Sequence, residues 1–153
     1  LAFAGGCGLA IYPDISIASE NAKFRLPEIT VGIWPMMVSA ALRRLIGRKK
    51  ALELMLTGRM IDAWEAERIG LINKVVPAEE LDKSVGELAN TLKGMSPIIM
   101  KLGLEAFYAT EDMEFSKAVA YLREMVVELF YTEDAHEGEV AFFEKRKPVW
   151  KGR

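Results

Sequence analysis

The sequence AFAGGCGLA, residues 2–10, decides how the start of this chain is interpreted. Two adjacent glycines, Gly5 and Gly6, precede a short apolar segment that ends at Pro13, so we expect a helix that begins at the glycines. Glycines leave their N–H groups open, and the positive end of a helix favours an anion or an oxygen that becomes anionic in a reaction. Taken alone, the pair is explained more simply as a tight turn that needs small residues.

The composition restricts the class of protein. The chain has 153 residues, of which 51% are hydrophobic and 27% charged, and a net charge of −2, which suits one domain with a buried core. This charge argues against nucleic-acid binding through a broad basic face, and no apolar run reaches the roughly 18 residues of a membrane span. A single cysteine and a single histidine, without a CxxC motif, predict no disulfide and no metal site. We therefore expect any catalysis to use carboxylates or backbone groups.

The first third of the chain predicts strands, and most of the remainder predicts helices. Ile15 and Ile17 alternate with small residues, as in a buried strand, and residues 23–26 predict a short return strand. Capping residues, prolines and apolar spacing predict the later elements: a helix from Asp62 to Gly70, a strand over 71–76, and helices over 79–93, from Ser96, and over 112–131.

Three further features are candidates for chemistry. Glu28 lies at a strand end between Leu26 and Ile29, which makes it a candidate for a buried carboxyl group, although most glutamates in loops are solvated. The pair Met36–Met37 is typical of core filling and equally suits an acyl pocket. The basic residues 145–147 form a solvated charge cluster unless they meet a phosphate.

Several stretches, taken in order, resemble one family. They are AFAGGCGLA (2–10), DISIASENAKF (14–24), LPEITVGIWP (26–35), GRKKALELMLTGRMIDAWEAERIGLINKVVP (47–77) and HEGEVAFFEKRKPVW (136–150). Their combination is similar to the C-terminal part of the crotonase superfamily, the enoyl-CoA hydratase/isomerase enzymes. The resemblance implies an α/β fold, the crotonase (ClpP-like) spiral of ββα units, with residues 1–78 in its C-terminal part and residues 79–153 forming a helical trimerisation region. It also implies that about a hundred residues precede this chain.

The resemblance implies chemistry on an acyl-CoA thioester. Gly5 falls on the position whose N–H is one of two donors that hold the thioester oxygen as it becomes an enolate, and Gly6 lies beside it against the substrate. The second donor belongs to a segment that this chain does not contain. Family hydratases use two glutamates, of which the second falls on Glu28 and the first on Gly8, where GGCG replaces GGCE. Family isomerases resemble this single-glutamate pattern, so Glu28 would be base at one carbon and acid at another. The alternative is slower hydration by Glu28 alone, with a poorly oriented water.

The resemblance also extends to binding and assembly. Phe142 and Lys145 fall on positions that contact the adenine and phosphates of coenzyme A, often from a neighbouring subunit. It implies no separate cofactor, because coenzyme A is part of the substrate, and a homo-oligomer that is a trimer or a dimer of trimers. The expected location is cytoplasmic, or mitochondrial in a eukaryote. Two alternatives remain: a non-catalytic acyl-CoA-binding or scaffold protein, and a truncated chain without activity of its own.

Overall fold

The computed structural model describes all 153 residues, which divide into two compact units, Leu1–Glu87 and Leu88–Arg153. The sequence analysis predicts a boundary at residue 78, between the spiral core and the helical region. The strands are β1 (Ala2–Phe3), β2 (Ile17–Ser19), β3 (Lys23–Arg25), β4 (Met60–Asp62) and β5 (Lys74–Val76). The helices are α1 (Gly5–Ile11), α2 (Met36–Thr57), α3 (Ala63–Arg68), α4 (Leu81–Lys93), α5 (Pro97–Thr110), α6 (Phe115–Phe130) and α7 (Glu133–Phe143), with 3₁₀ turns at Glu28–Val31 and Ala78–Glu80.

The strands of the first unit form two small sheets. In one sheet β3 lies between β1, to which it is parallel, and β4, to which it is antiparallel. In the other sheet β2 is parallel to β5. The prediction that residues 23–26 return along the preceding strand is therefore wrong. The Glu20 N–H donates to the Val76 carbonyl at 2.8 Å, which continues the pairing of β2 with β5 up to the turn, and β3 leaves that turn into the other sheet.

Local end signals explain the helices of the first unit. The Asp62 carboxylate accepts the Glu65 N–H at 2.7 Å and starts α3, and Gly70, with φ of +80°, follows its end, so both predicted limits are confirmed. The long helix α2 is kinked at Gly47, where φ is +71° and ψ is 167°. The core between these elements consists of buried apolar side chains, among them Ile11, Phe24, Leu42, Leu54, Ile61 and Leu71.

In the second unit, hydrogen bonds hold the C-terminal residues against the helices. Ser96 caps α5 by accepting the Ile99 N–H and donates its hydroxyl to the buried carboxylate of Asp134 at 2.6 Å. The same carboxylate accepts the N–H groups of Lys151 and Gly152 at 2.7 and 3.1 Å. The Trp150 indole N–H donates to a backbone carbonyl at 2.7 Å. A buried carboxylate with three protein donors is well compensated, so this arrangement holds the last residues in place.

The predicted apolar stripe of α6 exists but is not covered within the chain. Phe115 is 81% exposed, and Val119, Leu122 and Val126 are also exposed. A monomeric protein rarely leaves a continuous apolar helix face in water. The face therefore has the character of a contact surface.

Candidate active site

The parallel pairing of β1 and β3 brings two predicted site residues to one edge of the sheet. Ala2 faces Phe24 and Phe3 faces Arg25 in the parallel register. Gly5 follows the carboxyl end of β1, and Glu28 follows the carboxyl end of β3. Because the carboxyl ends of adjacent parallel strands meet at the same edge, the topology places Gly5 and Glu28 on that edge.

The N–H groups of Gly5 and Gly6 have no acceptor in this chain. Helix α1 begins at Gly5, and the Ala4 carbonyl accepts the N–H groups of Cys7 and Gly8 at 2.9 and 3.2 Å. Apart from chain neighbours and the backbone of the same helix, no atom lies within 4 Å of the position that a Cβ would take at either glycine. Packing within the chain therefore gives no reason for small residues here, and the two amides are free to bind a ligand.

Ala4, which joins β1 to α1, has an unusual backbone conformation. Its φ is +49° and its ψ is −123°, a combination that is sterically unfavourable for a residue with a Cβ. Conformations of this kind persist where the surrounding structure imposes them, and they cluster at functional sites. Its own N–H donates to the Arg25 carbonyl at 3.0 Å, so the strained connection is tied to β3.

Glu28 is a buried carboxyl group, as the sequence suggested, and not a solvated loop residue. The residue is 8% exposed, and its Oε2 atom is buried without a hydrogen-bond partner. Its backbone carbonyl accepts the Ile33 N–H at 3.1 Å, which closes the 3₁₀ turn that begins at Glu28. A buried carboxylate oxygen without a partner is costly, so Glu28 is a candidate to bind a ligand or to take up a proton.

Cys7 lies close to Glu28 and was not considered from the sequence as part of the site. The residue is 1% exposed on α1. Burial, and then the negative charge of Glu28, raises the pKa of the Cys7 thiol to about 11. The thiol is therefore neutral at physiological pH and adds no second charge beside the carboxyl group.

The end of α2 supports the turn that carries Glu28. The Arg25 Nε atom donates to the Gly58 carbonyl at 2.6 Å. Gly58 has φ of +57°, and a Cβ there would stand 3.3 Å from methyl groups of Ile29 and Thr30 and 3.4 Å from the Leu26 carbonyl. A glycine is thus required both by the backbone conformation and by close packing against the turn.

The two methionines at the start of α2 do not fill the core of this chain. Met37 is 79% exposed, and Met36 and Leu9 are also exposed. The Tyr12 hydroxyl donates to the Met37 carbonyl at 2.6 Å and so fixes the start of α2 against α1. Their role in an acyl pocket stays a prediction.

The two residues predicted to contact coenzyme A lie in the second unit. Phe142 and Lys145 are both exposed, and the Lys145 N–H donates to the Phe142 carbonyl at 3.2 Å. Lys145 has φ of +55° and forms no ion pair. Arg146, in contrast, binds Glu137 through two hydrogen bonds of 2.6 and 2.9 Å, so the basic run is not uniformly free.

No group of three or more His, Cys, Asp or Glu side chains has an arrangement that would hold a metal ion. None of the helices combines the length and the apolar character needed to cross a bilayer.

Comparison with known proteins gives consistent results over the full chain. The family described as enoyl-CoA hydratase/isomerase matches residues 1–153. A probable enoyl-CoA hydratase of Mycobacterium tuberculosis is 42% identical over 153 residues, which cover 99% of this chain and 60% of that protein. The mitochondrial enoyl-CoA hydratase domain-containing protein 3 of Rattus norvegicus is 38% identical over 150 residues, 98% of this chain and 50% of that protein. The chain therefore spans between half and three fifths of the length of these relatives.

Solved structures agree with this assignment. The enoyl-CoA hydratase from Bacillus anthracis superposes with a TM-score of 0.95 at 35% identity, over 99% of this chain and 59% of that chain. Human enoyl-CoA hydratase domain-containing protein 3 superposes with a TM-score of 0.94 at 36% identity, over 97% of this chain and 59% of that chain. The predicted fold class is thereby confirmed. The chain belongs to the enoyl-CoA hydratase/isomerase family and has the α/β crotonase fold of that family.

Proposed function

We propose that the full-length protein moves a proton between two carbons of an acyl-CoA thioester through an enolate. The observation that carries the proposal is the partnerless Oε2 of Glu28 at the same sheet edge as the free amides of Gly5 and Gly6. One group can accept a proton, and the others can stabilise the negative charge that its removal leaves behind.

The proposed reaction converts a 3-enoyl-CoA into a trans-2-enoyl-CoA. The thioester oxygen accepts a hydrogen bond from the Gly5 N–H, with Gly6 against the substrate, while the Glu28 carboxylate removes a proton from C2. The electrons of that C–H bond form the dienolate, and the bond between oxygen and donor strengthens as charge develops. Glu28 then returns the proton to C4, so the double bond moves and no water is consumed. The resemblance assigns a second oxyanion donor to a segment that this chain does not contain.

The absence of a carboxylate at position 8 favours proton transfer over hydration. Hydration needs a water molecule that is both oriented and deprotonated beside C3. With Gly8 in this position, Glu28 alone would have to serve both the water and the α-carbon. Loss of an orienting group reduces the rate strongly even when the chemistry stays possible in principle.

Substrate binding and assembly form the second part of the proposal. Phe142 and Lys145 would contact the adenine and a phosphate of coenzyme A, since both are exposed and Lys145 is free of carboxylate partners. The exposed apolar face of α6 supports a homo-oligomer, a trimer or a dimer of trimers. No cofactor besides the coenzyme A of the substrate is proposed, nor any nucleic-acid or membrane partner. The proposed location is cytoplasmic, or mitochondrial in a eukaryote, because three of the eukaryotic relatives are named as mitochondrial proteins.

A non-catalytic acyl-CoA-binding or scaffold protein is the second candidate, because Gly8 also fits a family member that has lost part of its machinery. The full-length protein should therefore be given a 3-enoyl-CoA and, separately, a trans-2-enoyl-CoA in deuterated water, with the products identified by mass. Conversion of the first without gain of water supports the proposed isomerisation. A water adduct from the second would instead establish a hydratase. Binding of both thioesters without turnover would favour the scaffold.

A further inference from the structure

Val38 occupies the space beside Gly8. It lies in the first turn of α2 and is 6% exposed, and Gly8 is buried on α1. A Cβ at position 8 would stand 3.0 Å from the Cγ2 atom of Val38, which is closer than ordinary van der Waals contact allows. Any side chain at position 8 therefore requires Val38 to give way.

The surroundings of Val38 limit how far it can move. Its side chain is β-branched, so rotation about χ1 is restricted. Its backbone is held on both sides, because the Tyr12 hydroxyl donates to the Met37 carbonyl at 2.6 Å and the Ser39 N–H donates to the Pro35 carbonyl at 3.0 Å. Tyr12 directly follows α1, so the helix that carries Gly8 also fixes the start of α2.

We infer that Val38 is a specificity-determining residue that keeps position 8 without a side chain and so limits the site to one carboxylate, Glu28. This inference rests on the proposed function. It restricts the reaction to proton transfer within the acyl chain of the thioester and excludes the addition of water. In hydration, the water oxygen bonds to C3, one water proton goes to a base, and a proton is delivered to C2. The family resemblance places the second acid–base group of hydratases at position 8, where a side chain fits only if Val38 moves away by a few tenths of an ångström.

The first test measures packing and does not depend on the reaction. Gly8→Ala in the full-length protein is expected to lower the melting temperature by about 2–4 °C. In a Val38→Ala background the same change should be neutral or stabilising, because alanine favours a helix over glycine. Gly103→Ala is the matched control, since Gly103 is a helical glycine with no atom within 4 Å of its Cβ position. An equal effect of Gly8→Ala in both backgrounds would overturn the inference.

The second test measures which product forms from trans-2-enoyl-CoA. The double variant Gly8→Glu/Val38→Ala is expected to give the water adduct at a rate about 10-fold or more above that of Gly8→Glu alone. Gly8→Gln/Val38→Ala, which has the size but no base, should give none. Equal hydration by Gly8→Glu with and without Val38→Ala would refute the role of Val38. Failure of the unaltered protein to isomerise a 3-enoyl-CoA would count against the proposed function, and the packing test separates that failure from failure of the Val38–Gly8 contact.

Discussion

The Ala4 N–H donates to the Arg25 carbonyl at 3.0 Å, which ties the residue before Gly5 to the strand that leads to Glu28. This bond continues the parallel register in which Phe3 faces Arg25. The proposed oxyanion donor and the proposed acid–base group therefore follow two strands that are hydrogen-bonded up to the point where the site begins. A change in the register of β1 against β3 would therefore break these hydrogen bonds and displace the two groups relative to each other.

Replacement of the buried carboxyl group tests the proposed mechanism. Glu28→Gln keeps the size of the side chain but removes its ability to take a proton, so exchange of the α-proton should fall about 100-fold or more. Exchange is measured by deuterium uptake into the thioester in deuterated water, and binding of the thioester by calorimetry. Glu20→Gln, at an exposed turn of the same unit, is the control and should leave exchange unchanged. Undiminished exchange in Glu28→Gln would show that another group moves the proton.

The contact of Gly58 with the Glu28 turn predicts a second effect. Gly58→Ala should lower the free energy of unfolding by about 1–2 kcal/mol for the left-handed backbone and by about 1–3 kcal/mol more for the crowded contacts. Gly32→Ala meets the same backbone penalty, with φ of +78°, but no atom within 4 Å. Urea unfolding of the two variants should therefore differ by the packing contribution alone. Equal decreases in the free energy of unfolding would mean that the residues of the turn do not crowd a side chain at position 58.

The hydrogen bonds that Asp134 and Glu137 form with the C-terminal residues should break at low pH. Burial alone would raise the pKa of Asp134, but hydrogen bonds from Ser96, Lys151 and Gly152 outweigh it and lower that pKa. Hydrogen bonds from Arg146 and from a backbone N–H lower the pKa of Glu137 from 4.5 to about 2. Because both pKa values are lower in the folded state, both carboxylates stabilise the fold fully above the pKa values of the unfolded chain and lose that contribution as the pH falls. For Glu137 the loss extends from about pH 4.5 to about 2.

The acid transition can be followed by the fluorescence of Trp150 in a variant whose other tryptophans are replaced by phenylalanine. Release of the indole from its backbone carbonyl should change the emission between about pH 4.5 and 2. Glu137→Gln should shift or flatten the transition, because the amide does not titrate. A transition that is identical in this variant would exclude Glu137 as one of its causes.

The exposed lysine of the basic tail predicts an effect on substrate affinity. Lys145→Ala should raise the KM for an acyl-CoA about 10-fold and leave kcat nearly unchanged, since a charge-assisted contact to a phosphate acts on binding. Lys147→Ala, on a neighbouring exposed lysine without an assigned contact, is the control. The difference should shrink at high salt. A thioester that lacks the nucleotide part should not distinguish the variants.

The apolar face of α6 predicts that assembly depends on it. Val119→Glu should shift the full-length protein towards smaller species in sedimentation velocity, because a charge cannot be buried in a subunit contact without a partner. Lys117→Ala, which lies about half a helical turn away, should leave the distribution unchanged. An oligomer that persists unaltered in Val119→Glu would place the contact on another surface.

Elements with local signals were predictable from the sequence. The capping pair Asp62 and Glu65 and the Ser96–Pro97 helix start act within a few residues, so their structures followed the patterns. The partner of β2 could not be predicted, because β5 lies far along the chain and pairing is decided by packing. The family resemblance supplied the expected role of Glu28, which stays a prediction. The partnerless oxygen of Glu28 and the contact of Val38 with Gly8 could not be predicted, because they depend on side chains from separate elements.

The buried thiol of Cys7 is a natural probe of how often this sheet edge opens to solvent. Alkylating reagents attack the thiolate, and a pKa of about 11 leaves almost none of it at neutral pH. The residue is also almost inaccessible to solvent, so modification must proceed through transient opening of α1. The alkylation rate of Cys7, the only cysteine of this chain, would therefore measure how often the proposed site opens transiently. A bound thioester should lower this rate.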